Sequence, residues 1–147
     1  MITAYLEDTS VGDTHVTGGR TITETHVVNF AMFSGDWHPI HTDIEYATAD
    51  ERFGGRIAHG ALVLSVALGL VTFWPPAMKA FYGIDNLRFV APTRIGDTLH
   101  VETEVLAVTP KGEDGGVVTS RFTVRNQRDE DVLVATLKSL VARKPRA

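Results

Sequence analysis

The sequence predicts an α+β fold in which an antiparallel sheet wraps around one central apolar helix, and three observations carry that prediction. Residues Ala61-Leu62-Val63-Leu64-Ser65-Val66-Ala67-Leu68-Gly69-Leu70-Val71 are apolar almost all the way round, and a helix without a polar face must be enclosed. Beyond Trp74-Pro75-Pro76 the hydrophobic period changes from helical to alternating. Turn residues at Gly112 to Gly116 and at Asn126 to Asp131 then divide the alternating part into strands.

Taken in order, residues 20–25 alternate weakly and predict a short strand, and His26 to Phe33 predicts a helix with Val27, Phe30, Ala31 and Phe33 on or near one side. Gly35 ends that helix. Pro39 lacks an N–H and restricts His38 before it, which predicts a loop without helix. Asp43 is placed to cap a short helix over Glu45 to Asp50, and Gly54-Gly55 breaks the chain again. The central helix runs from His59-Gly60 to the Trp74-Pro75-Pro76 stop. About five strands follow from Asp85 to Val90, Leu99 to Val105, Val118 to Arg125 and Val132 to Val141, together with the short early one.

The chain has 147 residues, enough for one domain with a real core, and shows no repeat, low-complexity tract or linker, so residues 1–147 are expected to form a single domain. A formal charge of −4 carries no footprint for nucleic acid. Without cysteine there is neither a disulfide nor thiolate chemistry, which fits a reducing compartment. The first residues carry no basic start and no long apolar run, and the apolar stretch from Gly60 to Trp74 is shorter than the roughly 20 residues needed to span a bilayer. A cytoplasmic protein with no membrane partner is therefore expected.

The chemistry is concentrated in Ser34-Gly35-Asp36-Trp37-His38-Pro39-Ile40-His41. A carboxylate, Asp36, and an imidazole, His41, stand close together across a proline turn, ahead of a helix that opens with His59-Gly60. Such a pair can move protons to and from a substrate, while a helix N-terminus favours developing negative charge. Each residue also has a plainer reading. Asp36 could cap a turn beside Gly35, and His41 could be a partly buried structural histidine. Gly60 could serve close helix–sheet packing, and His59 could pack or cap rather than line a site. His38, His41, Asp43 and His59 include ligand types suited to zinc, yet Pro39 is expected to keep the paired histidines off one helix face, so no metal is predicted.

With Asp43 and Ala47 behind the octapeptide and Ile57-Ala58-His59-Gly60 further on, the pattern resembles the hydratase motif of the MaoC-like dehydratases, also called R-specific enoyl-CoA hydratases. The resemblance continues over Leu87-Arg88-Phe89-Val90-Ala91-Pro92-Thr93-Arg94-Ile95-Gly96-Asp97-Thr98-Leu99. It implies a hot-dog fold, and a hydro-lyase that adds water to 2-enoyl-CoA thioesters or dehydrates 3-hydroxyacyl-CoA. Asp36 and His41 would be catalytic, with Gly60, His38 and His59 against the substrate and no metal or redox cofactor. It also implies fatty acid metabolism, a homodimer or larger homo-oligomer, and an acyl-CoA partner whose phosphates could meet Arg56, Arg88 or Arg94. One position departs from the motif: His38 stands where the family usually has asparagine. Two rival readings are a hot-dog acyl-CoA thioesterase, disfavoured because Gly60 to Trp74 contains no Asp or Glu, and a non-catalytic acyl-thioester-binding subunit, disfavoured by an intact Asp–His pair.

Overall fold

The apolar run from Ala61 to Val71 does form the helix at the centre, seated on an antiparallel sheet, in a computed structural model that describes residues 1–145. Arg146 and Ala147 lie outside the described residues. Eleven elements follow one another along the described residues. A turn of 3₁₀ helix precedes β1 (Thr14–Val16) and β2 (Arg20–Thr21), and four helices come next: α1 (Glu24–Ser34), α2 (Pro39–Thr42), α3 (Ile44–Ala49) and α4 (Gly60–Leu70). The long strands close the chain: β3 (Met78–Phe89), β4 (Thr98–Pro110), β5 (Gly115–Arg125) and β6 (Asp131–Ala142). The sheet has the order β1-β4-β5-β6-β3, with β2 also paired to β4, and every named pairing is antiparallel. This is the hot-dog arrangement.

The helix buries Leu62, Val63 and Ala67 against Leu99, Val101, Phe122, Val124, Leu133 and Leu137 of the sheet. At about 1.5–3 kcal/mol for each large apolar side chain fully buried, this layer is the main source of stability. The same helix corrects one expectation. Ala61, Ser65 and Gly69 lie on one face, four residues apart, and that face is exposed, so within one chain α4 is not enclosed on every side. The sheet can cover only the face that points toward it.

Other elements follow from local chemistry. The Thr23 side chain accepts from the His26 N–H while His26 Nδ1 accepts from the Thr23 N–H at 3.0 Å, a capping box with histidine in place of Glu or Gln. This box starts α1 earlier than periodicity alone indicates. Gly35, at φ 77°, ends it in the left-handed conformation that glycine adopts without penalty. Pro39 behaves differently from expectation. It occupies the first position of α2, where a missing N–H costs nothing, so the proline starts a short helix instead of forbidding one. Asp43 caps α3, accepting from the Tyr46 N–H at 3.0 Å.

The sheet is larger than the sequence predicts. β1 has no counterpart among the predicted strands, and β3 begins at Met78 rather than Asp85. Asp97, buried at the turn before β4, accepts from the Arg94 N–H, Gln127 and Arg128. Burial alone would raise its carboxyl, but these donors together outweigh it and hold the group below the usual carboxylate range. The turn they fix carries Thr93, whose carbonyl accepts from the Ala58 N–H at 2.8 Å just ahead of α4.

Candidate active site

Four pieces of chain meet at the N-terminus of α4: the loop after α1, helix α2, the segment Phe53 to Gly60, and the end of β3 with the turn that follows. All but the loop after α1 contribute to a cavity of about 350 Å³ whose wall includes His41, Ile57, Gly60, Phe89, Thr93 and Val132; Asp36 and His38 lie outside that wall. A mostly apolar cavity with a few polar groups is the usual form of a small-molecule site.

Asp36 stands on the loop between α1 and α2. Its Oδ1 accepts from the His38 N–H at 3.1 Å, which is the turn-capping role anticipated as its plain reading. Its Oδ2 remains, 4.0 Å from His41 Nε2. One carboxylate therefore does both jobs, shaping the loop with one oxygen and facing the imidazole with the other. At 4.0 Å the two atoms do not share a direct hydrogen bond.

His41 lies on α2 with its side chain only 13% exposed, against 50% for Asp36. The Ile57 carbonyl accepts from His41 Nδ1 at 2.7 Å. That contact assigns the proton of the neutral ring to Nδ1 and turns Nε2, as an acceptor, toward Asp36. Burial is the main influence on the ring and lowers its pKa below the ordinary histidine value. The Ile57 contact and the Asp36 charge oppose this, while His59 and His38 add to it. The result is a histidine kept as a neutral base near pH 7.

His59 lies behind His41 rather than on the cavity wall. It is 2% exposed, its ring stacks on that of His41 with centroids 3.9 Å apart, and Nε2 donates to the Asp36 carbonyl at 3.0 Å. Gly60 is the first residue of α4, where the N–H has no intrahelical acceptor. A Cβ at this position would come within 2.8–3.0 Å of the Phe89 ring. Close packing, the plain reading of this glycine, is thus present, and it leaves the free N–H available.

His38 is exposed and caps α2, with Nδ1 accepting from the Ile40 N–H at 3.2 Å. An asparagine Oδ1 would lie at the same distance from its own backbone, so the departure from the motif keeps the cap. His38→Asn is expected to retain most activity and stability, whereas His38→Leu should lose about 1 kcal/mol of stability with the cap. If His38 also donates to substrate from Nε2, the leucine variant should raise KM or lower kcat. Steady-state kinetics of both variants, with urea unfolding, check this; full activity in His38→Leu would limit the residue to its cap.

Of the other predicted groups, Arg56 is taken up by Glu24 across from α1, and Arg94 donates to the Phe53 carbonyl on the cavity wall. Arg88 donates to the neighbouring Leu87 carbonyl. Of the four residues weighed as metal ligands, His38 and Asp43 each use one acceptor atom on a helix cap, and among the described residues neither joins a cluster with His41 and His59. Asp36, His41 and His59 do bring one ligand-type atom each within 4.8 Å of one another. His41 Nδ1 and His59 Nε2 are already committed to carbonyls. Sequence reasoning missed the Ile57 carbonyl, which carries no residue-type signal, and Phe89, whose only signal was its place in the strand Leu87 to Val90.

Residues 8–127 match the family described as the MaoC-like domain. The Klebsiella aerogenes "Protein MaoC" is 38% identical over 86% of this chain, but this chain spans only 34% of that protein's length. A 3-hydroxybutyryl-CoA dehydratase of Methylorubrum extorquens is 37% identical, over 73% of this chain and 67% of its own. An (R)-specific enoyl-CoA hydratase of Rhodospirillum rubrum is 33% identical, over 76% of each. Among solved structures, a MaoC-like dehydratase from Rhodospirillum rubrum superposes with a TM-score of 0.85 at 35% identity, covering 98% of this chain and all of the other.

Proposed function

Because the chain belongs to the MaoC-like dehydratase family, matched over most of its length, we propose that it is a hydro-lyase, adding water across the double bond of a 2-enoyl-CoA thioester or removing it from a 3-hydroxyacyl-CoA. The observation that carries the reading is the 4.0 Å separation of Asp36 Oδ2 and His41 Nε2, with His41 and Gly60, the first residue of α4, on the wall of one cavity. A water seated between the two atoms can reach both at hydrogen-bond distance.

In the forward direction the water oxygen bonds to C3 as the C2–C3 π pair moves toward the thioester, which takes up enolate character. His41 Nε2 accepts the proton leaving the water, and the Asp36 charge orients the water and supports the imidazolium. Gly60 donates to the charged thioester oxygen, at the positive end of α4. The dyad then returns a proton to C2, so a whole water is added and the side chains regain their starting state. No acidic residue lies on α4 to favour thioester hydrolysis instead.

A panel of 2-enoyl-CoA thioesters of different lengths tests the reading through loss of their conjugated absorbance. Release of free thiol would point to a thioesterase, and binding without turnover to a non-catalytic subunit. The acidic limb of kcat/KM should lie below the ordinary histidine value of about 6.5, because burial lowers His41 and only its neutral form accepts the proton. Asp36 raises the His41 pKa, so Asp36→Asn should move that limb to still lower pH. A limb at or above 6.5 in the unmodified protein would remove His41 as the base.

The reading takes residues 1–147 as a single unit working as a homodimer or larger assembly. β3 is an edge strand of 12 residues with Phe81 and Tyr82 exposed, and α4 has an open small-residue face. A second copy would cover both. Sedimentation showing only a 16.1 kDa species at micromolar concentration would contradict this. Among the described residues no helix is long and apolar enough to cross a membrane, and the absence of cysteine fits work in the cytoplasm.

A further inference from the structure

We propose that His59 is a positioning residue, a single buried side chain that ties Asp36 and His41 into one fixed pair; the inference rests on the hydro-lyase reading above. Three observations carry it. His59 Nε2 donates to the Asp36 backbone carbonyl at 3.0 Å, across a sequence separation of 23 residues. Its ring lies on the His41 ring at 3.9 Å between centroids and 29° between planes. Its Nδ1 is buried without a hydrogen-bond partner, although His59 is the N-cap of α4, where a side chain usually accepts from the helix.

The third observation decides between a capping role and a tie. A capping side chain would use its acceptor on the first-turn amides, whereas His59 makes no such bond. A buried polar atom left unpaired is unfavourable, so the orientation is held by what the rest of the ring does. The Asp36 carbonyl can only accept, so Nε2 must carry the proton. The other face of the arrangement is packing: Phe30 of α1 lies 5.0 Å from the His59 ring centroid on one side, and His41 lies on another.

The geometric consequence concerns both members of the pair. Asp36 sits on an exposed loop whose capping bonds, to His38 N–H and from its own N–H to Ser34 Oγ, are all local. Its link to His59 is the bond that fixes this loop to the buried head of α4. His41 is held at its edge by Ile57, which leaves the ring free to tilt about that bond until a second contact blocks its face. His59 supplies that contact. The Oδ2–Nε2 distance is therefore set by one rigid ring touching both partners, and a misplacement of about 1 Å in such a pair costs on the order of 10²-fold in rate.

Two variants separate the two contacts. His59→Phe keeps a flat ring against His41 and loses the donor to Asp36. His59→Gln keeps an N–H donor near the Nε2 position and loses the ring face. His59→Phe is expected to lower kcat about 10²-fold with little change in KM and to shift the pH limb set by His41, and His59→Gln to recover part of the kcat. Imidazole nitrogen NMR on the unmodified protein should show the His59 proton on Nε2, and the His41 titration should move in both variants. The spectra need no turnover, so they test the tie even where the panel of enoyl thioesters shows no hydration and the functional reading itself fails. They also decide the matter where His59→Phe does not fold. A proton found on His59 Nδ1, or a folded His59→Phe with unaltered kcat and pH profile, would overturn the proposal.

Discussion

Asp36→Asn and His41→Gln are each expected to cut hydration turnover by about 10²-fold or more while leaving the fold intact. Asparagine retains an oxygen that can accept from the His38 N–H, so the loop keeps its local cap. What it loses is the charge that orients water and supports the imidazolium on His41. Glutamine at position 41 reaches roughly as far as imidazole Nε2 and can still hydrogen bond, yet it cannot take up and return a proton. The neighbourhood tolerates both changes, since Asp36 is half exposed and His41 packs at the edge of a cavity. If both groups act on one water, as proposed, the double variant should be scarcely worse than either single one. Wild-type-like turnover in either single variant, with circular dichroism confirming the fold, would remove the dyad and favour a binding subunit.

Much of this arrangement is legible in the sequence, for physical reasons that differ from element to element. The core of α4 is readable because burial on one side of a helix and apolar composition are the same fact. The strands from Leu99 onward are readable because one face of the sheet packs on that helix, which forces a period of two. β3 is the instructive failure. It is an edge strand exposed along most of its length, so Lys79-Ala80-Phe81-Tyr82-Gly83 is under no pressure to alternate and carries no strand signal. Pro39 misleads for another reason. Its effect on a helix depends on whether it falls inside or at the first position, and that depends on His38 acting as a cap. In the candidate site, Asp36 and His41 are legible as residue types. The groups that orient them, the Ile57 carbonyl and the face of His59, are set by tertiary placement alone.

Gly60 allows the sharpest separation of packing from chemistry, and removing its N–H is expected to lower kcat about 10²–10³-fold. A side chain at this position meets the Phe89 ring within 2.8–3.0 Å, so any substitution first needs room. Phe89→Ala provides it, because the clashing atoms belong to that ring. In this background Gly60→Ala keeps the N–H and adds only a methyl group. Gly60→Pro deletes the N–H at a helix position where proline is favoured. The residue ahead is compatible too: His59, at φ −58° and ψ 135°, already has the extended backbone that a following proline requires. Helix α4 should therefore survive both double variants, and their unfolding midpoints should lie close together. If the free N–H stabilises charge on the thioester oxygen, the proline form loses kcat relative to the alanine form by about 10²–10³-fold. If Gly60 serves only to admit the Phe89 ring, the two double variants should turn over alike, and the charge-stabilising role of α4 would have to be abandoned.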